Sequence, residues 1–175
     1  MHRIMKIGID ILGVDAPEKI INFINTYKDN EVELYVYGME KELSKVTKTE
    51  NIVKNLCTEQ VFMEDDSARV HRKKKDASMI RLLEDLKNDV IDVAISGGST
   101  GAFMASSIFM LGRIEGVSKP GLASLLPTRS EHKFLLTDLG ANVEARPEDI
   151  LNYAKLGQLY MKYIYNIETP SVALL

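Results

Sequence analysis

Three times in the first hundred residues an apolar run of strand length gives way to a polar or glycine turn and then to a segment with helical spacing. The runs are "MKIGIDI" from Met5 to Ile11, "VELYVYG" from Val32 to Gly38, and "VIDVAI" from Val90 to Ile95. Short runs rich in β-branched residues suit buried strands. After the first of them, Pro17 to Tyr27 predicts a helix with proline in its first turn and Ile20, Ile21, Phe23 and Ile24 on its buried side. Parallel neighbours need a crossover, and a helix is the usual filling. A chain that repeats strand and helix over short connections is therefore held to a mainly parallel sheet covered on both faces.

The rest of the chain keeps the same rhythm. A short polar helix is expected near Glu40 to Val46, a weaker strand around Ile52 to Cys57, and a helix capped by Asp76 running to about Lys87. Ala102, Phe103, Met104, Ala105, Ile108, Phe109 and Met110 read as a buried helix. "GLASLLPT" and "KFLLTDLGAN" are two further strands, Pro147 opens a long helix to about Tyr165, and "SVALL" reads as a last strand. The long helix places Ile150, Ala154, Gly157, Met161 and Ile164 on one stripe, with Leu156, Leu159, Tyr160 and Tyr163 over much of the rest, which predicts burial on two sides. No linker, repeat or low-complexity stretch interrupts it, so residues 1–175 are read as one α/β domain.

Composition removes several functions. A net charge of −3 leaves no overall cationic field to hold nucleic acid. The single cysteine, Cys57, excludes an intramolecular disulfide and a thiolate zinc cluster, and points to a reducing, cytoplasmic setting with Cys57 as a small buried hydrophobe. His2, His71 and His132 lack ligand spacing, and Asp65 with Asp66 and Glu148 with Asp149 read as solvated charges or helix starts, so neither a metal nor a cofactor is expected. The opening "MHRIMKIGIDILG" is broken by Asp10 and has no cleavage pattern, and the apolar stretch from Ala102 to Leu111 falls short of a bilayer span.

In open α/β sheets ligands bind beyond the carboxyl ends of the strands. Four turns there are polar or glycine-rich: Asp10 to Asp15, Ser96 to Gly101, Pro127 to Thr128, and Asp138 to Asn142. The second carries the clearest chemistry. In "SGGSTGA" the glycines Gly97, Gly98 and Gly101 allow close backbone approach, the first amides of the following helix point outward, and Ser99 and Thr100 add hydroxyls, a combination suited to an anion. The plainer reading makes Ser99 an N-cap and the glycines a tight turn. In "HRKKKDASM", Arg72, Lys73, Lys74 and Lys75 form either a solvated face or a contact for an acidic partner or a phosphate. In "TDLGANVEARPED", Asp138 and Asn142 either face a ligand or close an Asx turn at Gly140.

Taken in order, "IGIDILGVDAPE", "RKKKDASM", "SGGSTGA", "LGRIEGVSKPGLASLLPT" and "DLGANVEARPEDILNYAKLGQLYMKYI" resemble the phosphate acyltransferases of bacterial phospholipid synthesis (PlsX) over nearly the whole chain. The family's usual SAGNTGA loop here has Ser99 in place of asparagine, and its members run to nearly twice this length. The resemblance implies a three-layer α/β/α fold of the isocitrate/isopropylmalate dehydrogenase-like type. It implies a reaction in which inorganic phosphate takes a long-chain acyl group from acyl carrier protein to give an acyl phosphate, without a protein nucleophile. On that footing Gly97, Gly98, Ser99, Thr100 and Gly101 position phosphate, with Lys75 or Arg113 neutralising charge. Asn142 then serves as a carbonyl donor, Asp10 or Asp138 orients, and Arg72, Lys73 and Lys74 meet the acidic carrier. A homodimer with peripheral membrane contact fits the same picture. Two alternatives stand beside it: a non-catalytic shortened relative that dimerises or binds a partner, and an enzyme forming short-chain acyl phosphates.

Overall fold

The computed structural model describes residues 3–129, 133–142 and 144–175; His2 and His132 lie outside the described residues. Its first strand, β1 (Met5–Asp10), is flanked by β2 (Val32–Gly38) and β4 (Val93–Ser96), with β3 (Ile52–Leu56) outside β2. All three pairings are parallel, and the registers place Ile9 beside Val36 and Ile95. The order β3-β2-β1-β4 means that the chain steps outward from β1 in one direction and later returns to its other side. That reversal makes the carboxyl ends of β1 and β4 the topological switch point, where sheets of this kind bind ligands.

Helices cover both faces of this sheet. On one, Ile9, Ile11, Leu34 and Val36 pack against Ile21 and Ile24 of α1 (Pro17–Thr26) and against Leu43 of α2 (Glu40–Leu43). On the other, Tyr37, Cys57 and Ile91 pack with Leu82 of α4 (Ser78–Lys87). Gly8 sits under that second layer, and a Cβ there would run into Leu82 and Ile91, so the strand and helix approach closely only because the residue is glycine. Leu82 and Leu83 are fully buried, each worth roughly 1.5–3 kcal/mol of transfer free energy. A short helix α3 (Val70–Lys73) and the longer α5 (Thr100–Leu111) complete the layer beside α4.

The chain falls into two compact units, Met1–Gly112 and Arg113–Leu175, where the sequence reads as one domain. In the second unit β5 (Ala123–Pro127) pairs antiparallel with β6 (Lys133–Thr137), so the two later strands form their own pair. The long helix α6 (Pro147–Tyr165) packs on β6 and has the bounds the sequence predicts.

Several expectations need correction. α4 starts at Ser78 with Ala77 at its N-cap; Asp76 instead accepts hydrogen bonds from the Thr58 amide at 2.8 Å and Arg81 at 2.7 Å. β4 starts at Val93, not Val90, because Asp89 takes a positive φ and the Val90 amide turns back to the Asp85 carbonyl at the end of α4. Phe23 is exposed on α1. α5 is only half covered: Ala102 and Ser106 are buried, while Phe109 is exposed and stacks on His71 at 4.6 Å. α6 buries only Asp149 and Tyr153, and Tyr163 is 71% exposed, so within this unit the helix is covered on one side. Residues 171–175 form no strand and are exposed; an extended segment without a ladder partner leaves its amides to water.

Candidate anion site at the carboxyl ends of β1 and β4

Asp10 ends β1 and is 2% exposed, with no cation against its carboxylate among the described residues. Three donors from three segments satisfy it. The Leu12 amide donates to Oδ1 at 3.0 Å, the Ser96 hydroxyl at the end of β4 donates to Oδ2 at 2.8 Å, and the Ser78 hydroxyl at the start of α4 donates as well. Burial pushes the carboxyl above its ordinary value of 3.8, and the three hydrogen bonds oppose that rise. Ser96 in turn accepts from the Gly98 amide at 3.2 Å. A continuous relay thus runs from the Gly98 N–H through Ser96 Oγ to Asp10.

The glycine turn is packed tightly. A Cβ on Gly97 would lie 2.5 Å from Val14 Cγ1, and one on Gly98 would lie 3.0 Å from Met79 Cε and 3.4 Å from Ser96 Oγ. A Cβ on Gly13, which has φ of +73°, would lie 3.2 Å from the Gly98 Cα and 3.4 Å from the Val61 carbonyl. Loops after β1 and β4 therefore touch at the crevice, and the segment through Val61 and Ser67 forms the third wall, since Ser67 Oγ stands 3.2 Å from the Cβ position of Gly101.

Ser99 is the N-cap of α5: its hydroxyl accepts from the Ala102 amide at 3.4 Å, and its carbonyl takes the Phe103 amide at 2.9 Å. The Gly98 and Ala102 amides are thus engaged internally. The Thr100 and Gly101 amides precede the first intrahelical bond and, with the exposed Thr100 hydroxyl, face outward at the positive end of a twelve-residue helix. Two amides of the expected bare turn are therefore engaged internally.

The basic run divides. Arg72, Lys73 and Lys75 are exposed. Lys74 instead turns inward, donating to Asp65 at 2.6 Å and the Gln60 carbonyl at 2.9 Å, with its ammonium 4.6 Å from the centre of the Phe62 ring. That contact holds the Asp65 carboxyl below its ordinary range. Lys74 is a clamp on the loop carrying Val61, not an open contact for a partner.

Asp138, Asn142 and Arg113 belong to the second unit. Asn142 donates to the Pro120 carbonyl at 2.9 Å and to Asp138 at 3.1 Å, while Asp138 has φ of +59° and its carbonyl takes the Gly140 amide at 2.8 Å. This is the turn-closing arrangement. Arg113 is exposed and donates to the Ser118 carbonyl. Asp149 completes a capping box with the Arg146 amide, takes the Ser118 hydroxyl and lies 3.5 Å from Lys119. It is thus a buried helix-start residue and not a solvated one. The same unit holds a cavity of about 900 Å³ between β6, α6 and the last residues, lined largely by apolar groups such as Leu135, Ile150 and Met161.

Sequence reasoning passed over Ser78, Ser67 and the inward role of Ser96. The last had a visible signal, a hydroxyl two residues before Gly98 at the end of an apolar strand. Ser78 and Ser67 reach the crevice only through the packing of α4 and of the loop before α3, which one sequence does not display.

A family profile described as "Fatty acid synthesis protein" matches residues 5–175. The chain belongs to this family. Phosphate acyltransferases of Staphylococcus haemolyticus and Macrococcus caseolyticus are 40% and 39% identical to it, over 98% and 97% of this chain and 52% of each relative. That of Staphylococcus aureus strain Newman is 36% identical over 98% of the chain. The chain spans about half the length of the curated relatives it matches. A branched-chain phosphotransacylase from Enterococcus faecalis aligns with a TM-score of 0.59 at 11% identity, covering 90% of this chain and 51% of that one. This last likeness concerns the fold, an α/β sheet mainly parallel and flanked by helices.

Proposed function

We propose that the chain provides the phosphate seat of an acyltransferase that moves a fatty acyl group from acyl carrier protein to inorganic phosphate. The observation that carries this reading is the outward-facing N-terminus of α5, at the switch point of the sheet, in a member of a fatty acid synthesis family whose relatives bear the name phosphate acyltransferase. In the reaction a phosphate oxygen attacks the thioester carbonyl, the new C–O bond forms, the C–S bond breaks, and the thiolate takes a proton from hydrogen phosphate or water. Phosphate is the nucleophile, so the protein's work is to hold an anion in line with the carbonyl and to stabilise the oxyanion. The Thr100 and Gly101 amides and the Thr100 hydroxyl suit the first task. Exposed Arg72, Lys73 and Lys75 suit steering of an acidic carrier, weakening as salt rises. We place the protein in the cytoplasm on the same reading.

A second reading, a partner-binding module without catalysis, is favoured by the exposed apolar residues of α6 and the tail, among them Tyr163, Ile164 and Leu174. The test is phosphate-dependent release of free thiol from acyl carrier protein thioesters, run beside acetyl and palmitoyl substrates. Release that requires phosphate and favours the long chain is expected. Well-folded protein that turns over none of them would leave the binding module; preference for acetyl would move the substrate to short acyl groups.

A further inference from the structure

We propose that Ser96, anchored by Asp10, is a positioning residue for the anion seat: it holds the Gly98 amide inward and thereby fixes the outward direction of the amides at Thr100 and Gly101. This rests on the phosphate reading above. The relay consists of three hydrogen bonds: Gly98 N to Ser96 Oγ at 3.2 Å, Ser96 Oγ to Asp10 Oδ2 at 2.8 Å, and Leu12 N to Asp10 Oδ1 at 3.0 Å. It joins the ends of the two strands that flank the crevice, and only three residues separate Ser96 from the first residue of α5. A hydroxyl has one proton to give. Because Asp10 takes it, Ser96 meets Gly98 with a lone pair, and the first amide after the strand turns away from the mouth.

Packing alone is a poor account of this arrangement. A carboxylate buried without a cation is costly, and elsewhere in the chain the buried Asp149 has Lys119 within 3.5 Å. Asp10 instead lies beside the start of α4, whose Ser78 donates to it, so a helix N-terminus offsets part of its charge. The carboxylate is retained where it controls a hydroxyl at the mouth of the candidate site.

The test titrates the 175-residue chain with inorganic phosphate, followed by calorimetry and by the amide resonances of Gly98, Thr100 and Gly101, alongside thermal melts. Ser96→Ala is expected to weaken phosphate binding by roughly three- to tenfold, the worth of one net hydrogen bond, and to shift the Gly98 resonance. Ser96→Thr keeps the hydroxyl and is expected to restore binding. If Ser96→Ala does not fold, Ser96→Cys keeps the volume with a weak donor and serves in its place. Unchanged phosphate affinity in the Ser96 variants, beside a wild type that binds, overturns the positioning role and spares the phosphate seat. A wild type in which phosphate moves neither Thr100 nor Gly101 overturns the seat and the positioning role together.

Discussion

A side chain at Gly98 tests whether the glycine turn is built for ligand approach or for packing. Its Cβ direction leads inward, to Met79 Cε at 3.0 Å, Ser96 Oγ at 3.4 Å and the Leu12 carbonyl at 3.7 Å. Met79 is 1% exposed, so its terminal methyl can yield only by disturbing the packing of Ile80, Val61 and Ala102 around it. For Gly98→Ala one methyl must be absorbed, costing about 1 kcal/mol, while the loss of unfolded-state freedom returns about 0.4–1 kcal/mol, so the variant should lie within about 1 kcal/mol of wild type. Gly98→Val adds two more methyls against the Ser96 hydroxyl and the Leu12 carbonyl, and overpacking of that kind costs about 2–3 kcal/mol. Urea unfolding followed by circular dichroism measures both. Met79→Ala should make room, so that the cost of Gly98→Val in that background falls by about 1 kcal/mol or more. The reasoning is refuted if Gly98→Val is as stable as wild type and loses only phosphate binding, for then the side chain would point to the mouth and not to Met79.

Removing the Lys74 clamp with Lys74→Ala should cost about 2–3 kcal/mol, two charge-assisted hydrogen bonds plus a cation–π contact on a partly exposed side chain, whereas Lys75→Ala should stay within about 0.5 kcal/mol of wild type; urea midpoints separate the two. The Asp65 and Asp76 carboxyls are held below 3.8 by Lys74 and by Thr58 and Arg81, so their contribution is present above that pH and lost as pH falls through their lowered values. Asp76→Asn should therefore flatten the acid limb of the stability curve. Asp10 behaves in the opposite sense: burial raises its carboxyl above 3.8, so its contribution is fullest below that pH and declines as pH rises through the raised value. Asp10→Asn should remove this decline, read as a smaller loss of stability between acidic and neutral pH than in wild type.

The strands and helices of the first unit were legible because burial there follows local period. Ile21 and Ile24, Leu34 and Val36 announce their faces in the sequence and pack as it implies. What failed depended on neighbours. Phe23 and Phe109 are apolar by composition, yet each stays more than half exposed, Phe109 with the ring of His71 stacked against it. "SVALL" has strand composition without a strand beside it. Asp76 has the chemistry of an N-cap, but Thr58 and Arg81 take its oxygens across the fold. At the site, the turn and its donors were visible as "SGGSTGA", while the allocation of those donors was not. Which amides face a ligand and which are consumed depends on Ser96, Ser99 and Asp10 meeting in space, and the last of these is 86 residues from Ser96 in the chain.

That allocation decides what the site can hold. Had the Gly98 and Ala102 amides both pointed outward, the turn would have formed a broad cup able to wrap an anion without the helix. With one bonded to Ser96 and the other capped by Ser99, two donors are withdrawn from a ligand, and the start of α5 offers the Thr100 and Gly101 amides and one hydroxyl. So small a set supplies little affinity by itself, because net hydrogen bonds are worth about 1 kcal/mol each. Tight phosphate binding then requires a cation brought to the same place. Lys74 is committed to Asp65 and Gln60, and of the two groups proposed to neutralise charge Arg113 belongs to the second unit, whereas the exposed Lys75 belongs to the unit that carries the seat. Lys75→Ala should accordingly weaken phosphate binding several-fold while sparing stability, with the defect shrinking as ionic strength rises. A salt-independent defect, or none, would place the neutralising charge elsewhere.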